Sequence, residues 1–108
     1  GDTHNCWANN IYKGENFIGA ELGTPSVTSP GASENFNGLI PNNLLENSML
    51  MKNKNLKWTN LVNRGYLTID FTKDIATAEF IAIDNILSKN YKTKVLKRIE
   101  IFPGEKLT

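Results

Sequence analysis

Arg64-Gly65-Tyr66-Leu67-Thr68-Ile69-Asp70-Phe71 is the stretch on which the reading of the fold turns. Leu67, Ile69 and Phe71 alternate with Tyr66, Thr68 and Asp70, and apolar–polar alternation of period two marks a half-buried strand. An Asn63-Arg64-Gly65 turn precedes it and a Lys73-Asp74 turn follows. Thr77 to Ile86 then reads as another strand, with Ala76, Ala78, Phe80 and Ala82 on one face and Thr77, Glu79, Ile81 and Ile83 on the other. Both faces are fairly apolar, which places this strand in the middle of a sheet rather than at its edge. Ser88-Lys89-Asn90 turns the chain again, Thr93 to Phe102 forms a last strand, and Pro103-Gly104 ends it.

Working outward, Leu56, Trp58 and Asn60 alternate with Lys57, Thr59 and Leu61 in the same way. The period-two runs from Leu56 onward sum to an antiparallel meander of three or four strands. One main helix should lie on a face of it, from about Leu44 to Lys52, burying Leu44, Leu45 and Met49. Pro41 suits entry into that helix, Asn42 or Asn43 can cap it, and Asn43 with Glu46 approximates a capping box. Nearer the N-terminus, Phe17 to Leu22 reads as a short strand with Ile18, Ala20 and Leu22 on the core side. Its natural partner is Trp7–Tyr12 across the Lys13-Gly14-Glu15-Asn16 turn, although Cys6 to Tyr12 alone also suits a short helix. Gly23 to Gly38 is a long loop fixed by Pro25 and Pro30, and long loops in compact domains are often functional. The fold class is therefore α+β and β-rich, a single domain over residues 1–108.

At 108 residues, with 40% hydrophobic and 21% charged side chains, the composition is that of a soluble globular domain with a modest core. A net charge of +1 gives no footprint for nucleic acid or for an anionic membrane. No apolar run is long enough to cross a bilayer. The one cysteine, Cys6, excludes an internal disulfide. Gly-rich phosphate loops, nucleophile elbows, EF-hand loops and zinc-finger spacings are absent.

Chemistry concentrates at the start of the chain, Gly1-Asp2-Thr3-His4-Asn5-Cys6-Trp7-Ala8-Asn9, which holds the only histidine. Asp2 and His4 can converge on one cation only from a loop, because residues i and i+2 of a strand stand about 7 Å apart. Asn5 could donate an oxygen or orient His4 by a hydrogen bond. Thr24, Ser26, Thr28 and Ser29 could line a phosphate pocket, or simply satisfy nearby backbone. Arg64 could grip a phosphate in bidentate fashion, or pair with Asp70, Asp74 or Glu79. Trp7, Trp58 and Tyr66 either fill the core or form an aromatic ligand platform.

The opening block resembles the last metal-binding motif of the alkaline phosphatase D family of metallophosphoesterases, a Gly-Asp-x-His-Asn run followed by a small residue, Trp and Ala. Two more blocks match in order. Glu21-Leu22-Gly23-Thr24-Pro25-Ser26-Val27-Thr28-Ser29-Pro30-Gly31 resembles the family's strand and following loop. Asn55-Leu56-Lys57-Trp58-Thr59-Asn60-Leu61 through Arg64-Gly65-Tyr66-Leu67-Thr68-Ile69-Asp70-Phe71 resembles its Leu-Lys-aromatic segment and Arg-Gly-Tyr strand. Together the blocks cover roughly Gly1 to Ile83.

The resemblance implies the C-terminal part of a calcineurin-like metallophosphoesterase sandwich. It implies Asp2 and His4 as metal ligands for iron and calcium, with Asn5, Thr28 and Arg64 close by, and phosphate-ester substrates. It also implies an exported bacterial enzyme, periplasmic or extracellular. Cys6 stands where the family has a small residue and reads as a substitute for Ser or Ala. Because the family draws its ligands from several motifs along a longer chain, these 108 residues are expected to lack activity alone and to bind no metal of their own. Exposed strands are expected to favour a homo-oligomer. The rival expectation is a small β-rich binding or structural module without catalysis.

Overall fold

The computed structural model describes residues 2–35 and 38–108. Gly1, the first residue of the block that resembles a metal-binding motif, lies outside them. In chain order the elements are β1 (Cys6–Lys13), β2 (Asn16–Gly23), α1 (Ala32–Asn35), α2 (Asn42–Lys52), β3 (Leu56–Asn60), β4 (Gly65–Phe71), β5 (Ala76–Ile83) and β6 (Thr93–Ile101). Among the described residues these strands build two three-stranded antiparallel sheets, ordered β2-β1-β3 and β4-β5-β6. The protein is a β-rich α+β fold.

The hairpin of β1 and β2 forms as the alternation demands, turning at Gly14 with φ 62°. β4, β5 and β6 form a meander, and β5 is its central strand, as its two apolar faces require. β3 departs from the expectation. It leaves the meander and pairs with β1, placing Cys6 opposite Asn60 and Ala8 opposite Trp58. The Asn63-Arg64-Gly65 segment is thus the crossing between sheets rather than a hairpin turn. Period two identifies a strand but is silent on its neighbour, and the meander has three strands, the lower of the two counts expected.

The core lies between the sheets. From the first come Cys6, Ala8 and Asn10, alternate residues of β1; from the second come Ala78, Phe80 and Ala82, alternate residues of β5. Trp58 closes the gap, its ring centroid 4.7 Å from that of Phe80. A polar clamp pins the chain end to this layer. Fully buried Asn10 donates from Nδ2 to the Leu107 carbonyl at 3.0 Å and accepts the Leu107 N–H at 2.9 Å. Asparagine's amide thereby mimics a strand neighbour and satisfies both backbone groups of Leu107.

Five further expectations are corrected. The helix starts two residues early, at Asn42, with Pro41 as its N-cap and no side-chain capping bond. Glu46 accepts the Leu61 N–H at 2.8 Å instead of folding back on Asn43. No residue of α2 is buried, and Leu44 and Met49 are exposed, because the helix rests on β3 rather than entering the core. On β2 it is Phe17, Ala20 and Leu22 that are partly covered, while Ile18 is 61% exposed, because the register shift between Ile11–Gly19 and Tyr12–Phe17 leaves Ile18 with no partner on β1. Finally, the long loop contains α1, and residues 36–37 of it lie outside the described ones.

Candidate functional site

His4 sits in the turn that feeds β1. Its φ of 55° makes it the one non-glycine residue at positive φ among the described residues. That left-handed conformation costs an L-residue about 1–2 kcal/mol and persists where neighbours enforce it. The neighbours are in the loop after β2. His4 Nδ1 lies 2.8 Å from the Pro30 carbonyl oxygen. A carbonyl only accepts, so Nδ1 carries the proton, and in the neutral imidazole Nε2 is then the nitrogen with the lone pair. From the other side, Gly31 lies so close that a Cβ there would come within 2.9 Å of the His4 carbonyl oxygen. Pro30-Gly31 therefore holds both ring and backbone of His4.

The loop is itself secured from β4. Arg64, at the start of the Arg-Gly-Tyr strand, donates from Nε to the Ser29 carbonyl at 3.0 Å and pairs through its guanidinium with Glu34 of α1. Gly65 N–H donates to the Ser26 carbonyl at 3.1 Å, and the Ser26 hydroxyl donates to the Ser29 carbonyl at 2.5 Å. Gly65 must be glycine, since a Cβ there would lie 1.8 Å from the Ile81 carbonyl oxygen. The partner of Arg64 is thus Glu34, and not Asp70, Asp74 or Glu79. Its contacts place it as the residue that sets the loop.

The remaining residues divide. Asp2 is exposed. Asn5 is buried beneath the turn, with Nδ2 3.4 Å from the Thr59 hydroxyl, which in turn donates to the Cys6 carbonyl at 2.8 Å. Asn5 therefore anchors the turn to β3, and the group that orients His4 is the Pro30 carbonyl. Thr28 is exposed on the loop. Cys6 is fully buried, and desolvation pushes its thiol up to about 12. It stays protonated and behaves as a small apolar residue. No three His, Cys, Asp or Glu side chains among the described residues gather closely enough to hold a metal ion. Asp2 and His4 are thus two donors of suitable chemistry, a hard oxygen and a borderline nitrogen, but not a full set.

The three aromatic residues do not form a common platform. Trp58 stands opposite Ala8, so it shares the inward face, whereas Trp7 stands opposite Thr59 on the other face of the same sheet. Trp7 lies over Gly23, where a Cβ would meet its ring at 2.3 Å. Tyr66 belongs to the second sheet.

Sequence alone missed Glu34 and the Pro30 carbonyl. His4 and Pro30 lie 26 residues apart and Arg64 and Glu34 lie 30 apart, so no local pattern announces either contact. The model of the family described as PhoD-like phosphatase matches residues 1–80, which takes in the His4 turn, the loop, Arg64 and all of β4. Comparison with curated proteins finds no match, and comparison with solved structures finds none. With the first 80 of its 108 residues matched, the chain belongs to the PhoD-like phosphatase family.

Proposed function

We propose that this chain carries a metal-ligand segment of a phosphate-ester hydrolase, in which Asp2 and His4 supply two of the ligands to a cation. The observation that supports this reading is the His4 Nδ1 contact with the Pro30 carbonyl at 2.8 Å. Histidines that ligate metals almost always donate their other ring N–H to a carbonyl or carboxylate, which fixes tautomer and orientation. The left-handed turn at His4 adds to it, since strain enforced by neighbours clusters at functional sites.

Iron or calcium fits the donor types, and such a cation polarises a phosphoryl oxygen and lowers the pKa of water. The chain's own residues do the positioning. Pro30 holds the imidazole, Gly31 makes room for the His4 backbone, and Arg64 fixes Ser29 next to Pro30. Asp2, on the same turn, brings a carboxylate with net negative charge. With two donors only, the 108 residues alone should hydrolyse no phosphate ester.

The test is a phosphatase assay on the whole gene product, supplied with iron and calcium, beside His4→Ala and Asp2→Asn. The reading expects activity that falls by two or more orders of magnitude in either variant, with reduced metal content in the purified protein. Full activity in His4→Ala, with unchanged metal content, would overturn it.

A further inference from the structure

A sheet edge that lacks any guard is a template for another strand, and natural proteins blunt their edges with lysines, inward charges, bulges or short length. Three of the four edges here are blunted. β6 carries Lys94, Lys97 and Arg98, its register shifts between Phe80 and Ile81, and Lys97 stands opposite Phe80 on the core side. β3 is five residues long and covered by α2. β2 pairs across a register shift at Ile11/Tyr12. The fourth edge, β4, has seven residues in unbroken register with β5 and carries no lysine, arginine or proline.

The hydrogen bonds of β4 show which of its groups face outward. Arg64 bonds toward β5 through Ile83 N–H, whereas Gly65 N–H points the other way, to Ser26. Alternation then directs the N–H and C=O of Leu67, Ile69 and Phe71 away from β5. These groups have no hydrogen-bond partner among the described residues. Their side chains lie on the core face, opposite Phe80, Ala78 and Ala76, and are covered less and less along the strand. Leu67 is half-buried, Ile69 is 40% exposed and Phe71 is 74% exposed.

We infer that β4 joins two copies of this chain, strand to strand and antiparallel, about a two-fold axis at Ile69. The inference is independent of the proposed function. In this register Ile69 faces Ile69 of the second copy, and Leu67 and Phe71 each face the other's counterpart. All three outward N–H and C=O pairs of each copy then find partners, and the Ser26 bond at Gly65 is left undisturbed. On the opposite face Asp70 meets Thr68, so the two Asp70 carboxylates are not directly opposed, and like charges across strands would be destabilising. The exposed Phe71 covers Leu67 of the second copy, and the two meanders fuse into one six-stranded sheet. A register centred on Thr68 is excluded, because it would pair Phe71 with Gly65, whose N–H is already taken.

The test combines mass and cross-linking on the intact chain. Sedimentation equilibrium should give twice the 12.1 kDa of one chain at high concentration and the single mass on dilution. Ile69→Lys, which sets two ammonium groups against each other, should give monomer throughout, with its circular dichroism unchanged because the site is a solvent-facing edge. Ile69→Cys should oxidise to a covalent dimer, since directly paired residues have Cα atoms about 5.5 Å apart, within disulfide reach. Lys94→Cys on β6 should not, and fully buried Cys6 adds no background. A strict monomer at high concentration would overturn the inference, as would a dimer unaffected by Ile69→Lys or one cross-linked through β6.

Discussion

Replacing Gly31 by alanine probes the contact that ties the loop to the His4 turn. A Cβ at position 31 would lie 2.9 Å from the His4 carbonyl oxygen, whereas ordinary contact begins at 3.4 Å. The overlap is against backbone, which has no rotamer to yield, and adding a methyl to a packed site costs about 1–3 kcal/mol. Against this stands the stiffening of the unfolded chain, worth about 0.4–1 kcal/mol whenever alanine is tolerated. The net expectation is a loss of about 0.5–2 kcal/mol, or a Tm lowered by several degrees in a domain of this size. Gly19 is the control. A Cβ there would meet no atom within 4 Å and the residue is not at positive φ, so Gly19→Ala should be neutral or stabilising. Urea unfolding of the two variants beside the parent measures both terms. If Gly31→Ala proves as stable as Gly19→Ala, the close approach of loop and His4 is wrong, and so is the argument built on it.

Asn10→Ala removes both hydrogen bonds to Leu107. The loss cannot exceed what undocking the tail costs, about 1.5–3 kcal/mol for a buried leucine, so a destabilisation near 2 kcal/mol is expected. Hydrogen exchange at the Leu107 amide reads the cause, and unchanged protection there would refute the clamp. For Cys6, burial raises the thiol from 9.0 to about 12, so the folded state resists deprotonation more than the unfolded chain does. Stability contributed by the neutral thiol is complete below pH 9.0 and is lost as pH rises toward 12. The limiting slope is about 1.4 kcal/mol per pH unit. The parent should therefore lose stability above pH 9 more steeply than Cys6→Ala, and parallel curves would refute this. Glu34→Gln should cost under about 1 kcal/mol, because the Arg64 pair is partly exposed, and a much larger loss in thermal melts would contradict that view.

The strands were legible because period-two alternation is a local property, and β4 and β6 fall where the pattern puts them to within a residue, whereas β5 ends at Ile83 rather than Ile86. β5 could even be placed centrally, since both faces from Ala76 to Ile83 are apolar. What stayed hidden is non-local. Nothing in Leu56 to Asn60 says that the segment pairs with β1, 47 to 54 residues earlier, rather than with the strand that follows it. The helix misled for another reason. Leu44, Leu45 and Met49 have helical spacing, but a surface helix resting on one strand need not bury them. At the site, Asp2 and His4 were readable as a motif, whereas the Pro30 carbonyl is a backbone group with no residue signature. Arg64 was read either as a grip on phosphate or as an ion-pair partner of Asp70, Asp74 or Glu79, and its contacts with Glu34 and Ser29 emerge only when α1 is in place.

The central claim is that the loop holds His4 with Nδ1 protonated and Nε2 ready for a metal. His4 is the only histidine, so nitrogen-15 correlation spectra of the imidazole report on it without assignment ambiguity. In neutral imidazole the account predicts a protonated Nδ1 and a bare Nε2, with the Nε2 resonance moving on titration with zinc as a diamagnetic probe. A proton on Nε2, or an Nε2 signal indifferent to metal, would contradict it.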